Sequence, residues 1–326
     1  MGQSRRRQLL IAVGASLVAP QAVWAQQKAR RIAWLGVGRA GSPSPFLEAF
    51  RVGLREREWI EGRNLELQVF LTDGTLEDSE RVGKQAIASK PDLLVVYGRD
   101  VPVASRLKPD FPVVFAFSGN PVDAGIVKSF ARTETNFTGV SFMSLDLAAK
   151  RIELLKEVAP NMRRLGVLAR PEHAGEHRER AASEEAAAKL GLGVFYAPIQ
   201  GFKDLELALR SIGQQKCDAL VTFPDAIMLA NSGRIAKFAE EARIATVSGW
   251  ASFADNGFLL SYGPNLRESY RGLARVADRV LRGARPSDIA VELPSVVELV
   301  LNARTARGLG LSIPPVVRAR ADRVIE

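Results

Sequence analysis

The sequence predicts an α/β protein with two Rossmann-like lobes, each built on a parallel sheet and joined to the other by several crossings of the chain. Strand-like and helix-like segments alternate at short intervals through most of the 326 residues. The strand-like segments are continuous apolar runs, which are typical of parallel strands covered by helices on both faces. The pattern restarts near Leu145, and the chain is too long for one ordinary core, so we expect two lobes.

The first half opens with an apolar run, a glycine-rich loop and a helix. Phe46, Phe50 and Leu54 recur every four residues, which is the spacing of one helical face. The predicted strands are 31–37, 65–70, 93–97, 113–117 and 138–141, and the predicted helices are 45–57, 77–89 and 100–107.

The second half opens with an amphipathic helix that begins at Leu145 and ends at Pro160-Asn161. A long amphipathic helix over 266–282 ends at Gly283. The other predicted strands are 164–169, 193–196, 219–223, 246–248 and 257–262, with helices at 176–191, 203–214 and 232–243, β-like runs at 289–293 and 296–300, and a short helix at 302–309.

These segments suggest where the lobes divide. We expect lobe one to comprise residues 26–142, with about 263–288 returning to it, and lobe two to comprise 143–262 with part of 289–326. The candidate hinge stretches are 141–144, 262–265 and the chain near 286–290. Several crossings make a hinge that permits closure of a cleft between the lobes.

Residues 1–25 have the three parts of an export signal. Ser4-Arg5-Arg6-Arg7 is basic, 9–18 is an apolar run too short to span a bilayer, and Val23-Trp24-Ala25 predicts cleavage after Ala25. We therefore expect a periplasmic protein. The paired arginines before Leu9-Leu10 suggest the twin-arginine route, although Gln8 replaces the usual aromatic residue and the general route stays open.

Charge and cysteine content exclude several classes of protein. The formal net charge is +9, but Arg5, Arg6 and Arg7 lie in the export signal and the remaining excess is scattered, so we expect no nucleic-acid partner. We expect a monomer.

The single cysteine, Cys217, precedes a predicted strand, which indicates a buried inert thiol.

The loop Gly36-Val37-Gly38-Arg39-Ala40-Gly41 matches the dinucleotide fingerprint G-x-G-x-x-G. Two details oppose a nucleotide. Ser42-Pro43-Ser44-Pro45 delays the helix to about Pro45, and the first acid after the second strand, Asp73, comes too late to bind a ribose. An exported nicotinamide-dependent oxidoreductase is therefore the alternative to a loop that lines a binding cleft.

Polar and aromatic residues follow the predicted strands, and the carboxyl ends of parallel strands are where such sheets bind ligands. Hydroxyls and backbone amides would suit a carboxylate, and an acid such as Asp225 would suit an ammonium group, although capping of turns and helices explains any one residue equally well. The candidate ligand-binding residues are Ser42, Ser44, Tyr97, Gly98, Arg99, Ser118, Gly119, Asn120, Asp225, Ser248, Trp250 and Tyr262.

We expect no metal, no cofactor and no catalysis. The two histidines, His173 and His177, are four residues apart and stand beside Glu172 and Glu176, but Gly175 interrupts the helix that would align them. The sequence has neither a G-x-S-x-G elbow nor a Walker lysine.

Several stretches give the chain a family resemblance over about residues 30–326. The most specific are 120–127, beginning Asn120-Pro121-Val122-Asp123, and 136–141, together with 280–286, 301–306, 308–311, 313–315 and 320–325 near the end of the chain. On these residues the chain resembles the ABC-transporter substrate-binding proteins of the tryptophan/tyrosine-binding type.

The resemblance implies the type I periplasmic-binding-protein fold, closure on a small ligand such as an amino acid or aromatic compound, and docking to a membrane permease. The sequence departs from the family where Arg99-Asp100 replaces small residues and Thr133-Glu134-Thr135 replaces a proline–glycine turn. These departures leave a larger or acidic ligand open.

Overall fold

Two sheets organise the chain, as the sequence predicts. The computed structural model describes residues 29–38, 44–143 and 145–326. The first sheet has five strands in the order β2-β1-β3-β4-β5, and the second has seven in the order β12-β11-β10-β9-β8-β6-β7. Helices cover both sheets, so each lobe has apolar clusters on both faces. The predicted export signal lies outside the described residues.

The first sheet is parallel throughout. Successive residues of its first strand along the chain face opposite sides of the sheet: Ile32 and Trp34 belong to one apolar cluster, and Ala33 and Leu35 to the other. Its strands are β1 Arg30–Val37, β2 Leu65–Thr72, β3 Leu93–Tyr97, β4 Val113–Phe117 and β5 Phe137–Ser141, and the helices that connect them are α1 Pro45–Arg55, α2 Leu76–Ala88 and α3 Asp100–Leu107.

The second sheet is parallel except where β10 and β11 run antiparallel. Its strands are β6 Arg164–Ala169, β7 Gly193–Pro198, β8 Ala219–Thr222, β9 Ala245–Ser248, β10 Leu260–Pro264, β11 Val297–Asn302 and β12 Arg323–Ile325. Its helices are α4 Leu145–Val158, α5 Glu176–Lys189, α6 Leu205–Gln214, α7 Ala226–Ala230, α8 Ser232–Glu241, α9 Ala251–Asp255, α11 Ala303–Gly308 and α12 Pro315–Ala319. Short 3₁₀ turns cover Phe202–Asp204 and Pro286–Asp288.

The long helix α10, Leu266–Leu281, follows strand β10 of the second sheet in the chain but packs on the first sheet. Tyr270 and Leu273 of α10 share an apolar cluster with Trp34 and Phe50. Gly53 allows the close approach of α1 and α10, because a Cβ atom there would lie 2.3 Å from the carbonyl oxygen of Arg271.

The chain crosses between the sheets near 142–144, 264–266 and 289–297, and the first and third crossings lie side by side. The backbone N–H of Ser141 donates to the carbonyl of Glu292 at 3.0 Å, and the hydroxyl of Thr138 donates to the carbonyl of Ile289 at 2.9 Å. The β-like run predicted at 289–293 contributes just one isolated bridge, between Val140 and Glu292. The helices α7, α9 and α12 and the strand β12 were not predicted from the sequence.

A buried ion pair ties the start of the second lobe together. Arg151 of α4 is 2% exposed, and its Nη1 lies 2.7 Å from Oε1 of Glu179 on α5, which is 7% exposed. The Nε–H of Arg151 donates to the carbonyl of Tyr262 on β10 at 2.8 Å. Burial lowers the pKa of Arg151 and raises that of Glu179, and each side chain opposes the shift of the other. Arg151 therefore joins α4, which follows the first crossing, to α5 and to β10, which precedes the second crossing.

Among the described residues, none of the helices is long and apolar enough to cross a membrane.

We expect Arg151→Met to lower the free energy of unfolding by about 3–5 kcal/mol, because it leaves Glu179 buried without its cation. Urea unfolding measures the change. The double variant Arg151→Met/Glu179→Leu should recover most of the loss. Lys189→Gln, which breaks an exposed pair with Glu185 on the same helix, is the control. An unchanged midpoint in Arg151→Met would contradict the prediction.

Candidate functional site

A cavity lies between the carboxyl ends of the strands of the two sheets. It contains about 810 Å³ of space, a volume that includes open solvent at its mouth. A wider depression, beside Trp59 and Arg282, lies near the amino ends of β1 and β3 instead. The residues that line the cavity from the first lobe and α10 are Val37, Phe46, Tyr97, Gly98, Arg99, Ala116, Phe117, Ser118, Phe142, Leu266 and Tyr270, and those from the second lobe are Arg170, His173, Asp225, Ala226, Ile227, Leu229 and Trp250.

Aromatic rings form the first-lobe wall of the cavity. Phe46 of α1 stacks on Tyr270 of α10, with ring centroids 4.7 Å apart. Tyr97, at the end of β3, meets Tyr270 edge to face at 6.0 Å, and Phe142 lies 5.7 Å from the same ring. Rings in these geometries offer an apolar surface to a flat ligand.

Gly36 leaves the space that the Tyr97 ring occupies. A Cβ atom on Gly36 would lie 1.9 Å from a ring carbon of Tyr97, so a larger residue there would displace the ring. The Tyr97 hydroxyl donates to the carbonyl of Val37, and burial raises the pKa of Tyr97 to about 12, which keeps the phenol protonated. The first glycine of the fingerprint thus has a packing role that needs no nucleotide.

The second-lobe wall carries an ion pair and an indole. Asp225 caps α7 by accepting the N–H of Met228 at 2.7 Å, and its other oxygen accepts from Nη1 of Arg170 at 3.2 Å. Trp250 follows β9 and is 7% exposed. Among the described residues, neither the Nε1–H of Trp250 nor the Nε–H of Arg170 has a hydrogen-bond acceptor.

His173 reaches across the cavity to the first lobe. Its Nε2 lies 3.0 Å from the hydroxyl of Ser118, and its ring centroid is 6.3 Å from that of Phe117. Burial lowers the pKa of His173, Asp225 opposes the shift and Arg170 adds to it. A neutral imidazole is therefore favoured while the two lobes enclose it.

Two further contacts link the lobes beside the cavity. The backbone N–H of Asn120 donates to the carbonyl of Ala174 at 2.9 Å. Arg178 of α5 binds both oxygens of Asp123, at 2.8 and 3.1 Å, and holds the pKa of that carboxyl below its usual range. Together with the contact between Ser118 and His173, these bonds hold the mouth of the cleft closed on one side.

Six of the predicted site residues line the cavity, and their ligand contacts stay a prediction. They are Tyr97, Gly98, Arg99, Ser118, Asp225 and Trp250. Ser42 lies outside the described residues.

The other predicted residues have structural contacts and do not line the cavity. Ser44 caps α1 through the N–H of Leu47 at 3.3 Å, and Ser248 donates to the carbonyl of Thr222 at 2.7 Å. Gly119 accepts the hydroxyl of Ser141, Asn120 accepts the N–H of Val122, and Tyr262 accepts Arg151 and packs against the core of the second lobe.

Sequence reasoning left several lining residues out of the predicted site. Arg170 directly follows β6, so the rule about strand ends would have included it. His173 was considered as a metal ligand, but its partner in the structure is Ser118. His177 is exposed near Asp123, and no cluster of three potential metal ligands occurs among the described residues. Helices and a crossing contribute Phe46, Phe142 and Tyr270, and at such positions the sequence pattern of an aromatic residue predicts a place in the core.

A family comparison decides the class of the protein. The family described as ABC transporter substrate binding protein matches residues 46–325. The chain belongs to this family. Membership supports the solute-binding prediction and gives no support to the nicotinamide-dependent alternative.

Relatives of this substrate-binding protein share its fold. The Tyrosine-binding protein of Clostridioides difficile is 22% identical over 268 residues, which cover 81% of this chain and 76% of the relative. An ABC domain from Streptococcus pneumoniae, solved in complex with L-Trp, superimposes with a TM-score of 0.84 at 22% identity, covering 91% of this chain and 100% of the other. A substrate-binding protein with adhesive properties from Clostridium difficile, in its ligand-free, open form, gives 0.69 at 22% identity, with 91% and 99% covered. The predicted type I periplasmic-binding-protein fold is confirmed.

We expect NMR titration of this substrate-binding protein to give His173 a pKa below its ordinary value of about 6.5, because burial disfavours the imidazolium. The variant His177→Gln leaves one imidazole to follow. Since the pKa is lowered, the stability that the neutral ring contributes is present above about pH 6.5 and declines as the pH falls below it. A pKa at or above the ordinary value would contradict the arrangement described.

Proposed function

We propose that the protein is an exported receptor of an ABC uptake system, which closes its lobes on a small ligand, an amino acid or an aromatic compound, and presents the closed form to a membrane permease. The observation that carries this proposal is the cavity, which takes its lining from the strand ends of both sheets. A ligand shifts a protein toward closure when it contacts both lobes in the closed form. No catalytic step is part of the proposal.

The arrangement of the lobes supports closure as the working motion. Ser118, Asn120 and Asp123 of the first lobe bond to His173, Ala174 and Arg178 of the second. The chain also superimposes better on the L-Trp complex than on the ligand-free, open relative. We propose the division into lobes near residues 142 and 263 as the two moving bodies.

The relatives and the cavity wall point to a ligand with a flat apolar part. The relatives include a tyrosine-binding protein and a domain solved in complex with L-Trp. In this chain Phe46, Tyr97 and Tyr270 would hold such a part from one side, and Trp250 from the other. Removing this apolar surface from water would supply most of the affinity, and the polar groups would select the head group.

Export and assembly follow from the proposed role. We propose that residues 1–25 direct the protein to the periplasm, that cleavage follows Ala25, and that the protein meets its permease there as a monomer. The three-part pattern of the segment and the family membership support this location.

A thermal-shift screen tests the receptor. The panel holds amino acids, organic acids, amines, purines, sugars and dinucleotides. We expect a small solute to stabilise the purified protein, by about 2.7 kcal/mol at a hundred times its dissociation constant. Trp250→Ala should weaken the response, because it removes part of the cavity wall, whereas Arg210→Gln on the exposed face of α6 should not. Stabilisation by dinucleotides alone, or a response unaffected by Trp250→Ala, would count against the proposal.

The export route has a separate test. If the paired arginines are read by the twin-arginine machinery, Arg5→Lys/Arg6→Lys should leave the precursor in the cytoplasm, and Arg7→Lys should be exported normally. Cell fractionation and immunoblotting measure the distribution. Normal export of the double variant would assign the protein to the general route.

A further inference from the structure

The lining of the cleft has more positively charged than negatively charged side chains. Three side chains there carry full charge: Arg99, Arg170 and Asp225. Arg170 and Asp225 neutralise each other across 3.2 Å. Arg99 is exposed and forms no ion pair among the described residues, although its charge acts on the buried carboxyl of Asp100. His173 adds no positive charge, because burial lowers its pKa. The lining therefore has a net charge of one positive unit.

Other acids near the cavity lie outside its lining. Asp100 is fully buried, bonds to the hydroxyl of Thr72 at 3.1 Å, and does not line the cavity. Glu172 is 65% exposed, does not line the cavity, and forms a second ion pair with Arg170 at 3.5 Å from its Nη2. The side chain of Asp146 is not among those described, and residues 1–28, 39–43 and 144 contain no acid.

The unsatisfied groups in the lining are donors. The Nε1–H of Trp250 and the Nε–H of Arg170 are buried, and neither has an acceptor among the described residues. Both oxygens of Asp225 already accept hydrogen bonds, one from Met228 and one from Arg170. A buried donor without a partner is costly, so a ligand that brings an acceptor to these two groups would be favoured.

An ammonium group fits this lining poorly. Its natural counter-ion would be Asp225, but that carboxylate is engaged by Arg170. The aromatic wall could attract a cation through its ring faces, but the unpaired guanidinium of Arg99 in the same lining opposes a second positive charge. A carboxylate meets the opposite conditions, since guanidinium and indole N–H groups both donate to it.

We propose that the ligand of the cleft is an organic monoanion, in which one carboxylate is joined to a compact aromatic body and no ammonium group is present. The proposal rests on the proposed receptor function and names its substrate class. The aromatic body packs between the walls, and the carboxylate faces Arg99, Arg170 and Trp250. This separates the chain from receptors for zwitterionic amino acids.

Matched ligands test the proposal. One set is 3-phenylpropionate, L-phenylalanine and phenethylamine, and a second is indole-3-propionate, L-tryptophan and tryptamine. Within each set the ring is constant and the charged groups change. Isothermal titration calorimetry at pH 7.5 should give each acid a dissociation constant at least tenfold below that of its zwitterion, and no measurable binding of the amines.

Variants of the charged lining provide a second readout. Arg170→Gln removes the partner of Asp225, so the preference for acid over zwitterion should fall at least tenfold. Arg99→Gln should weaken binding of the acids and reduce its dependence on salt, because an exposed charge is screened by ions. Arg210→Gln makes the same charge change away from the cavity and should alter neither measurement.

Each outcome bears on the proposal. A zwitterion or an amine that binds as tightly as its acid overturns it, as does zwitterion binding that Asp146→Asn abolishes. Binding of sugars or purines without any acid also overturns it, although the receptor function then stands. Failure of every solute in the wider panel contradicts both.

Discussion

The ion pair between Arg170 and Asp225 is the constraint on which the cleft depends. Arg170 follows β6 and Asp225 follows β8, so the pair joins the ends of two neighbouring strands. Asp225 also starts α7, whose residues Ala226, Ile227 and Leu229 line the cavity. The charge of Asp225 raises the pKa of His173, and the charge of Arg170 lowers it. A partly buried pair of this kind is costly to break on one side, because the remaining charge is left uncompensated. The same ion pair therefore positions the residues of this wall and determines the charge that the wall presents.

The lobes and the contacts between them differ in strength. Each lobe has apolar clusters on both faces of its sheet, and the second also has the buried pair of Arg151 and Glu179. The described polar contacts across the cleft mouth are few, and the ion pair of Asp123 with Arg178 is half-exposed. An exposed pair contributes about 0–1 kcal/mol. If the lobes close as proposed, these contacts contribute terms small enough for a ligand to decide the equilibrium.

The sequence predicted the sheets better than the site, for physical reasons. Strands 93–97, 113–117 and 164–169 have the predicted bounds, because a covered parallel strand is an uninterrupted apolar run with polar residues at its ends. The rule that strand ends bind ligands found Tyr97, Asp225 and Trp250. The rule cannot find Phe46 or Tyr270, since a helix residue that faces a cleft has the same pattern as one that faces a core. The antiparallel pairing of β10 with β11 also depends on tertiary contacts that periodicity does not encode.

In the proposed receptor, affinity and selectivity would come from different parts of the cleft. The rings of Phe46, Tyr97 and Tyr270 would bury an aromatic ligand to a similar extent whether it carried a carboxylate, an ammonium group or both, so this burial does not discriminate among them. Selectivity is a difference of affinities, and here the charged groups supply the difference. The partly buried pair of Asp225 with Arg170 is screened by solvent ions less than the exposed guanidinium of Arg99 is, so the engagement of Asp225 would be the larger contribution. Two proteins of this fold with equally aromatic walls can therefore select differently charged ligands through the state of a single carboxylate.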